Sequence, residues 1–112
     1  MSLRHLLLAC LALCCLPSPA LAQEAWPARP IRLIVPFPPG AGTDTVARFV
    51  AQRLSDTMKA QIVIENKTGA GGAIGAAEAA AAAPDGYTLL FVASPFTTVA
   101  AASKNPAYDP VK

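Results

Sequence analysis

The chain alternates between short apolar runs and longer stretches in which apolar residues recur at helical spacing. Past the N-terminal segment, the first run is Ile31–Val35, with Arg32 inside it. The second is residues 61–65 (Q-I-V-I-E) and the third is residues 87–92 (Y-T-L-L-F-V). Runs this short, rich in β-branched and aromatic residues, predict buried strands. Between the first two, Val46, Val50, Leu54 and Met58 recur every four residues with Phe49 alongside. Arg48, Gln52, Arg53 and Asp56 occupy the other side. The spacing predicts a helix over residues 43–59 whose valine-to-methionine stripe packs on a sheet. Residues 66–75 (N-K-T-G-A-G-G-A-I-G) predict a glycine-rich loop running into a second helix, which residues 78–83 continue in nearly pure alanine. Such a segment forms readily but buries little area per residue.

Turn chemistry completes the pattern. Pro84-Asp85-Gly86 is a turn in which proline fixes φ and glycine takes the positive φ. Residues 93–98 (A-S-P-F-T-T) form a loop, a third helix starts at residues 99–102, and residues 23–29 read as an extended polar lead. Three βα units therefore follow one another at a spacing of roughly 30 residues, which implies an α/β fold built on a parallel sheet with right-handed crossovers. In such sheets ligands sit beyond the carboxyl ends of the strands. All three loops, after Val35, after Glu65 and around Ala93, emerge at that edge.

The first loop carries the strongest signal. Pro36, Pro38 and Pro39 end the strand, because proline removes a ladder donor. Gly40 and Gly42 permit a tight turn and close approach to a ligand, and Thr43 and Asp44 are suitable caps for the helix that follows. Strand, glycine loop and helix N-terminus together present unpaired N–H groups to an anion. Asp44 itself has two readings, a structural cap or a contact to a ligand hydroxyl, amine or bridging water.

The other loops narrow the chemistry. Neither glycine loop fits G-x-G-x-x-G: Gly40-Ala41-Gly42 continues as Thr43-Asp44-Thr45, and Gly69-Ala70-Gly71 as Gly72-Ala73-Ile74. Glu65 stands where a ribose-binding acid would, but the broken motif argues against a dinucleotide site, and no Walker lysine–serine/threonine pair exists. Asn66-Lys67-Thr68 matches a glycosylation acceptor, a triplet that arises often by chance. In the third loop, Ser94, Thr97 and Thr98 lack a histidine base, and neither Lys67 nor Lys104 gives an S-x-x-K spacing. Hydroxyls that bond a ligand and simple helix caps both remain open readings for Ser94 and Thr97.

Composition changes the picture at the N-terminus. Arg4 and His5 precede the apolar run Leu6 to Leu16, Pro17-Ser18-Pro19 breaks it, and Ala20-Leu21-Ala22 supplies an A-x-A cleavage site. These three parts in order predict a signal peptide over residues 1–22, cleaved after Ala22 and directing export of the remainder. The apolar run is too short to span a membrane, and a lipoprotein reading of Leu7-Leu8-Ala9-Cys10 leaves too little apolar region before the cut. Cleavage removes Cys10, Cys14, Cys15 and His5, the only cysteines and histidine. Residues 23–112 can then form no disulfide, thiolate nucleophile or histidine-based acid/base or metal site. Their charge is nearly balanced, and nothing suggests a nucleic-acid surface. No cofactor is expected.

Several motifs in order, W-P-A-R-P-I-R-L-I-V-P-F-P-P-G-A-G-T-D, E-N-K-T-G-A-G-G-A-I-G, P-D-G-Y-T-L-L and the closing Y-D-P, resemble the Bug-type extracytoplasmic solute receptors. These are the substrate-binding proteins of tripartite tricarboxylate transporters. The resemblance implies that residues 23–112 are the first part of one lobe of a two-lobed periplasmic flytrap. It implies a small organic anion, a carboxylate, as ligand, the membrane permease subunits of such a transporter as partners, and no catalysis. It implies that backbone and hydroxyl groups hold the carboxylate, partly through water. On this chain the matching positions are Phe37, Pro38, Gly40, Ala41, Gly42, Thr43 and Asp44 in the first loop, and Gly69, Ala70, Gly71 and Gly72 in the second. Ser94 and Thr97 line the same cleft. Ala41 stands where many members carry glycine. Members continue well past this length, and residues 107–112 read as a loop entering another element, so the chain reads as the truncated N-terminal portion of a receptor. Alternatives are an exported α/β enzyme lacking its catalytic part, or a non-functional remnant with an open sheet edge.

Overall fold

A computed structural model describes residues 25–111 of the chain; the predicted signal peptide lies outside them. Its sheet has three parallel strands, β1 (Ile31–Val35), β2 (Ile62–Asn66) and β3 (Thr88–Leu90), in the order β2-β1-β3. Ile31 stands opposite Ile62 on one side of the central strand, and Leu33 opposite Leu89 on the other. Being central and covered on both faces, β1 is apolar throughout except at Arg32, and Ile31, Ile34 and Val35 are completely buried.

Helix α1 (Gly42–Met58) covers one face, where Leu33 and Val35 meet Ala47 and Ala51 with Phe37, Ile64 and Phe91 around them. Helices α2 (Ala73–Ala80) and α3 (Pro95–Ala102) belong to the other face, where Ala76, Ala100 and Tyr108 pack with Leu90 and Phe96. The α/β fold with a parallel sheet is the predicted one.

The packing face of α1 is not the predicted stripe. Its buried residues are Asp44, Ala47 and Ala51, whereas Val46 is 53% and Phe49 65% exposed. Half-buried Leu54 and Met58 continue that line at spacings of three and four, so the helix is rotated away from a simple every-fourth-residue pattern. Two causes are visible. Alanines at 47 and 51 let the helix axis approach the sheet closely, and the polar Asp44 is drawn inward by partners on the β1 loop and β2.

Boundaries shift for local reasons. Pro95 sits in the first turn of α3, where its missing N–H costs nothing, so that helix begins four residues before the predicted start. α1 ends at Met58 because Lys59 turns left-handed, at φ 53°. Residues 70–72 add a short 3₁₀ turn ahead of α2.

On the α2 face, alternation along the strands places Arg32 and Glu65 on one side of the sheet. Arg32 donates from Nε and Nη2 to both Glu65 oxygens, at 2.8 and 2.7 Å, and from Nη2 to Glu78 of α2 at 2.8 Å. Lys67 Nζ lies 3.4 Å from Glu78 and 3.8 Å from Glu65. Two cations and two carboxylates thus tie β1, β2 and α2 together. Glu65 and then Glu78 raise the pKa of Arg32, and Arg32 holds both carboxyls below their ordinary range.

Close approach of α2 to the β1 and β2 ends depends on Gly75. A Cβ there would lie 2.8 Å from the Lys67 carbonyl oxygen and 2.9 Å from Pro36 Cβ. Gly75→Ala is therefore expected to destabilise the protein by about 1–3 kcal/mol, the range for overpacking, as measured by urea unfolding. An unchanged midpoint would show that α2 has room to retreat.

Candidate functional site

The first loop is held from three directions. Asp44, third residue of α1 and 1% exposed, accepts a hydrogen bond from the Gly40 N–H at 2.8 Å. Its carboxylate also accepts from Arg48 Nε at 2.9 Å and from Asn66 Nδ2 at 2.8 Å. The Asn66 amide donates a second bond to the Phe37 carbonyl at 2.9 Å, and its own oxygen receives Arg48 Nη2 at 3.4 Å. Arg48, then Asn66, then the Gly40 N–H lower the Asp44 pKa from its ordinary value to about 2.

Thr43 and Asp44 are therefore not the N-caps expected. The helix starts at Gly42, Ala41 occupies the capping position, and no side chain caps there. Instead Asp44 reaches back past the cap to Gly40, a variation on the capping box. Of the two readings of Asp44, the structural one describes its contacts. Ala41 has φ −64°, which any residue adopts, so alanine in place of glycine leaves the loop undisturbed. Thr45 is the first residue of α1 to donate an i→i−4 bond, to the Ala41 carbonyl at 2.9 Å. The N–H groups of Gly42, Thr43 and Asp44 thus have no partner within the helix, and the helix dipole favours an anion near them.

The second loop runs through an unusual backbone. Ala70, Gly71 and Gly72 have φ of 46°, 65° and 98°, three left-handed residues in succession. Glycine accepts that region freely, while Ala70 is held there at a cost of about 1 kcal/mol. The Gly72 N–H closes the turn on the Gly69 carbonyl at 2.9 Å. Gly72 packs against the first loop, since a Cβ on it would lie 3.5 Å from Pro36 and 3.8 Å from Phe37.

In the third loop Ser94 occupies the capping position of α3, yet its hydroxyl makes no cap bond and is exposed. Thr97 Oγ1 donates to the Ser94 carbonyl at 3.5 Å, and Thr98 Oγ1 to the Pro95 carbonyl at 3.3 Å. The capping reading of Ser94 is set aside on that geometry.

The three loops meet over a narrow slot at the carboxyl edge of the sheet. Pro36 and Phe37 line it from the first loop, Gly71 and Gly72 from the second, and Val92, Ala93 and Phe96 from the third, with Tyr108 behind. Its volume is about 10 Å³, room for a group the size of one water. Pro38, Gly40, Ala41, Gly42, Thr43, Asp44, Gly69, Ala70, Ser94 and Thr97 do not line it. Glu65 is engaged by Arg32, which leaves it unavailable as a ribose-binding acid. Asn66, the would-be glycosylation acceptor, spends its amide on the first loop. Pro36, Val92, Ala93, Phe96 and Tyr108 of the slot, and Asn66 beside it, are not among the site residues expected from sequence. Asn66 stands in motifs that say nothing of its reach to the first loop, and Tyr108 lies well downstream of the third loop.

Residues 46–112 match the profile of the tripartite tricarboxylate transporter family receptors, TctC. The chain belongs to that family. A relative, the UPF0065 protein in the TAR-I ttuE-ttuC' intergenic region of Agrobacterium vitis, is 46% identical over 97 residues, covering 87% of this chain and 28% of its own. Among solved structures, the periplasmic binding protein BugD is 45% identical with a TM-score of 0.73, over 76% of this chain and 28% of its own. R. palustris Rpa4515 with adipate is 36% identical with a TM-score of 0.69, over 77% of this chain and 29% of its own. The chain thus spans under a third of the length of these relatives and neighbours.

A depressed carboxyl pKa stabilises the fold above its ordinary value and loses that contribution as pH falls toward the folded-state value. For Asp44 the window runs from about pH 4 down to about 2. Asp44→Asn should lower the melting temperature at pH 7 by several degrees and flatten its fall across that window. Glu65 and Glu78, also depressed, should leave a residual slope. Circular-dichroism melts at pH 7, 4 and 2.5 check this, and equal acid sensitivity of variant and parent would contradict it.

Proposed function

We propose that the protein captures a small organic carboxylate in the periplasm as the receptor of a tripartite tricarboxylate-type transporter. The observation that carries the reading is a helix N-terminus with unpartnered N–H groups that ends the first loop, whose Pro36 and Phe37 pack against the left-handed glycine turn at the carboxyl edge of the sheet. In this reading the N–H groups of Gly42 and Thr43 receive the carboxylate, with the dipole of α1, about half a unit charge, in support. The N–H groups of Gly69, Ala70 and Gly71 add further donors, Gly72 shapes the turn by closing it on the Gly69 carbonyl, and the hydroxyls of Ser94 and Thr97 are assigned to the rim. Phe37, Pro38, Gly40, Ala41 and Asp44 shape the first loop. Adipate in Rpa4515 is the kind of ligand such a site would take.

No bond is made or broken in this scheme, so positioned donors suffice and no nucleophile or base is required. Residues 1–22 serve as the export signal, and the permease subunits receive the loaded protein. Tight capture requires a second lobe that closes over the ligand.

A ¹⁵N-resolved NMR titration with adipate tests the reading. The expected result is fast-exchange shifts of the Gly42, Thr43, Gly71 and Gly72 amides with a Kd on the order of millimolar. Shifts confined to other residues, or none at saturating adipate, would refute the carboxylate site. Sub-micromolar binding would refute the need for a second lobe.

A further inference from the structure

Tyr108 is 7% exposed, although it follows α3 in a stretch that is otherwise largely exposed. Its ring stacks on Phe96 with centroids 4.7 Å apart and planes 16° from parallel. Its hydroxyl donates to the Phe96 backbone carbonyl. One side chain thus holds Phe96 by both ring and main chain, and both residues line the slot against Phe37 and the second glycine turn. No charged side chain lines that slot. Arg48 of α1 and Lys67 of the second loop are committed to Asp44 and to Glu78. Tyr108 also packs with Ala76 and Ala100 on the helical face, so it joins that core to the edge of the slot.

We infer that Tyr108 is a positioning residue of the site. Through Phe96 it sets the width of the slot, which has room for one water-sized group at the edge of a carboxylate ligand whose charged end the glycine loops receive. The ligand half of this inference rests on the carboxylate reading above, while the slot half rests on geometry alone. The phenol hydroxyl and the stacked ring act together: the first fixes the main chain at the start of α3, the second fixes the Phe96 ring. Losing the hydroxyl removes the tie between residue 108 and the Phe96 carbonyl and lets the third loop drift from the glycine turn.

The test compares ¹⁵N spectra and adipate titrations of the protein, of Tyr108→Phe and of Tyr87→Phe. Tyr87 is a control at the opposite edge of the sheet, where its hydroxyl accepts the Ala28 N–H at 2.8 Å. Tyr108→Phe is expected to displace the Gly71, Gly72 and Ala93 amides and to weaken adipate about 5- to 10-fold, as for one lost hydrogen bond. Tyr87→Phe should leave those amides and the affinity in place. Should Tyr108→Phe fail to fold, Phe96→Leu, which keeps the hydroxyl-to-carbonyl bond, should fold and show the same displacement. Unmoved amides with unchanged adipate response would overturn the inference, as would collapse of both variants, because the pair would then hold the fold and not the slot. If the parent protein ignores adipate, the carboxylate reading fails, and the amide displacement still decides the role of Tyr108.

Discussion

The buried carboxylate of Asp44 is the constraint on which the candidate site depends. An ionised group with 1% exposure is costly unless donors surround it. Its three donors come from three separate segments: Gly40 in the loop, Arg48 a turn along α1, and Asn66 at the end of β2. Satisfying one charge therefore fixes the loop, the rotation of the helix and the strand end against one another. Because Asn66 also binds the Phe37 carbonyl, the proline-rich stretch is pinned at both ends. The consequence is a helix N-terminus whose first N–H groups have no partner within the helix and no capping side chain, which is what an anion site needs.

The opposite face of the sheet works by other means. There the Arg32, Glu65, Glu78 and Lys67 cluster balances its own charge at partly exposed positions, so it fixes alignment more than it stabilises. Gly75 sets how near α2 comes to the strand ends, and Tyr108 fastens the third loop by a ring and a hydroxyl. Both faces converge on the same edge, one by a buried charge and the other by steric fit and stacking. Apolar surface on α1, at Val46 and Phe49, remains outside this arrangement.

Much of this was legible in the sequence, and the parts that were not share a cause. Strand positions, their parallel arrangement and the convergence of three loops follow from the spacing of apolar runs and glycine turns, which are local signals. The face of α1 was misread because Val46 and Phe49 are more hydrophobic than Ala47 and Ala51. Which of them faces the sheet is decided by the distance between helix and sheet and by the pull on Asp44. Those are tertiary quantities. Thr43 and Asp44 looked like caps for the same reason: a capping residue type near a helix start says nothing of which backbone N–H it reaches. Asn66 and Tyr108 escaped notice because each acts on a loop far away in sequence, and a single chain carries no record of such pairings.

The most direct test of the central role of Asp44 is amide hydrogen exchange resolved by residue. If its carboxylate holds the first loop as described, the Gly40 amide should be strongly protected, while Gly42 and Thr43, two and three residues on, exchange near the rate of open chain. Equal, rapid exchange at Gly40, Gly42 and Thr43 would contradict the account, since the loop would then be free and the helix terminus would have no fixed shape to offer a ligand.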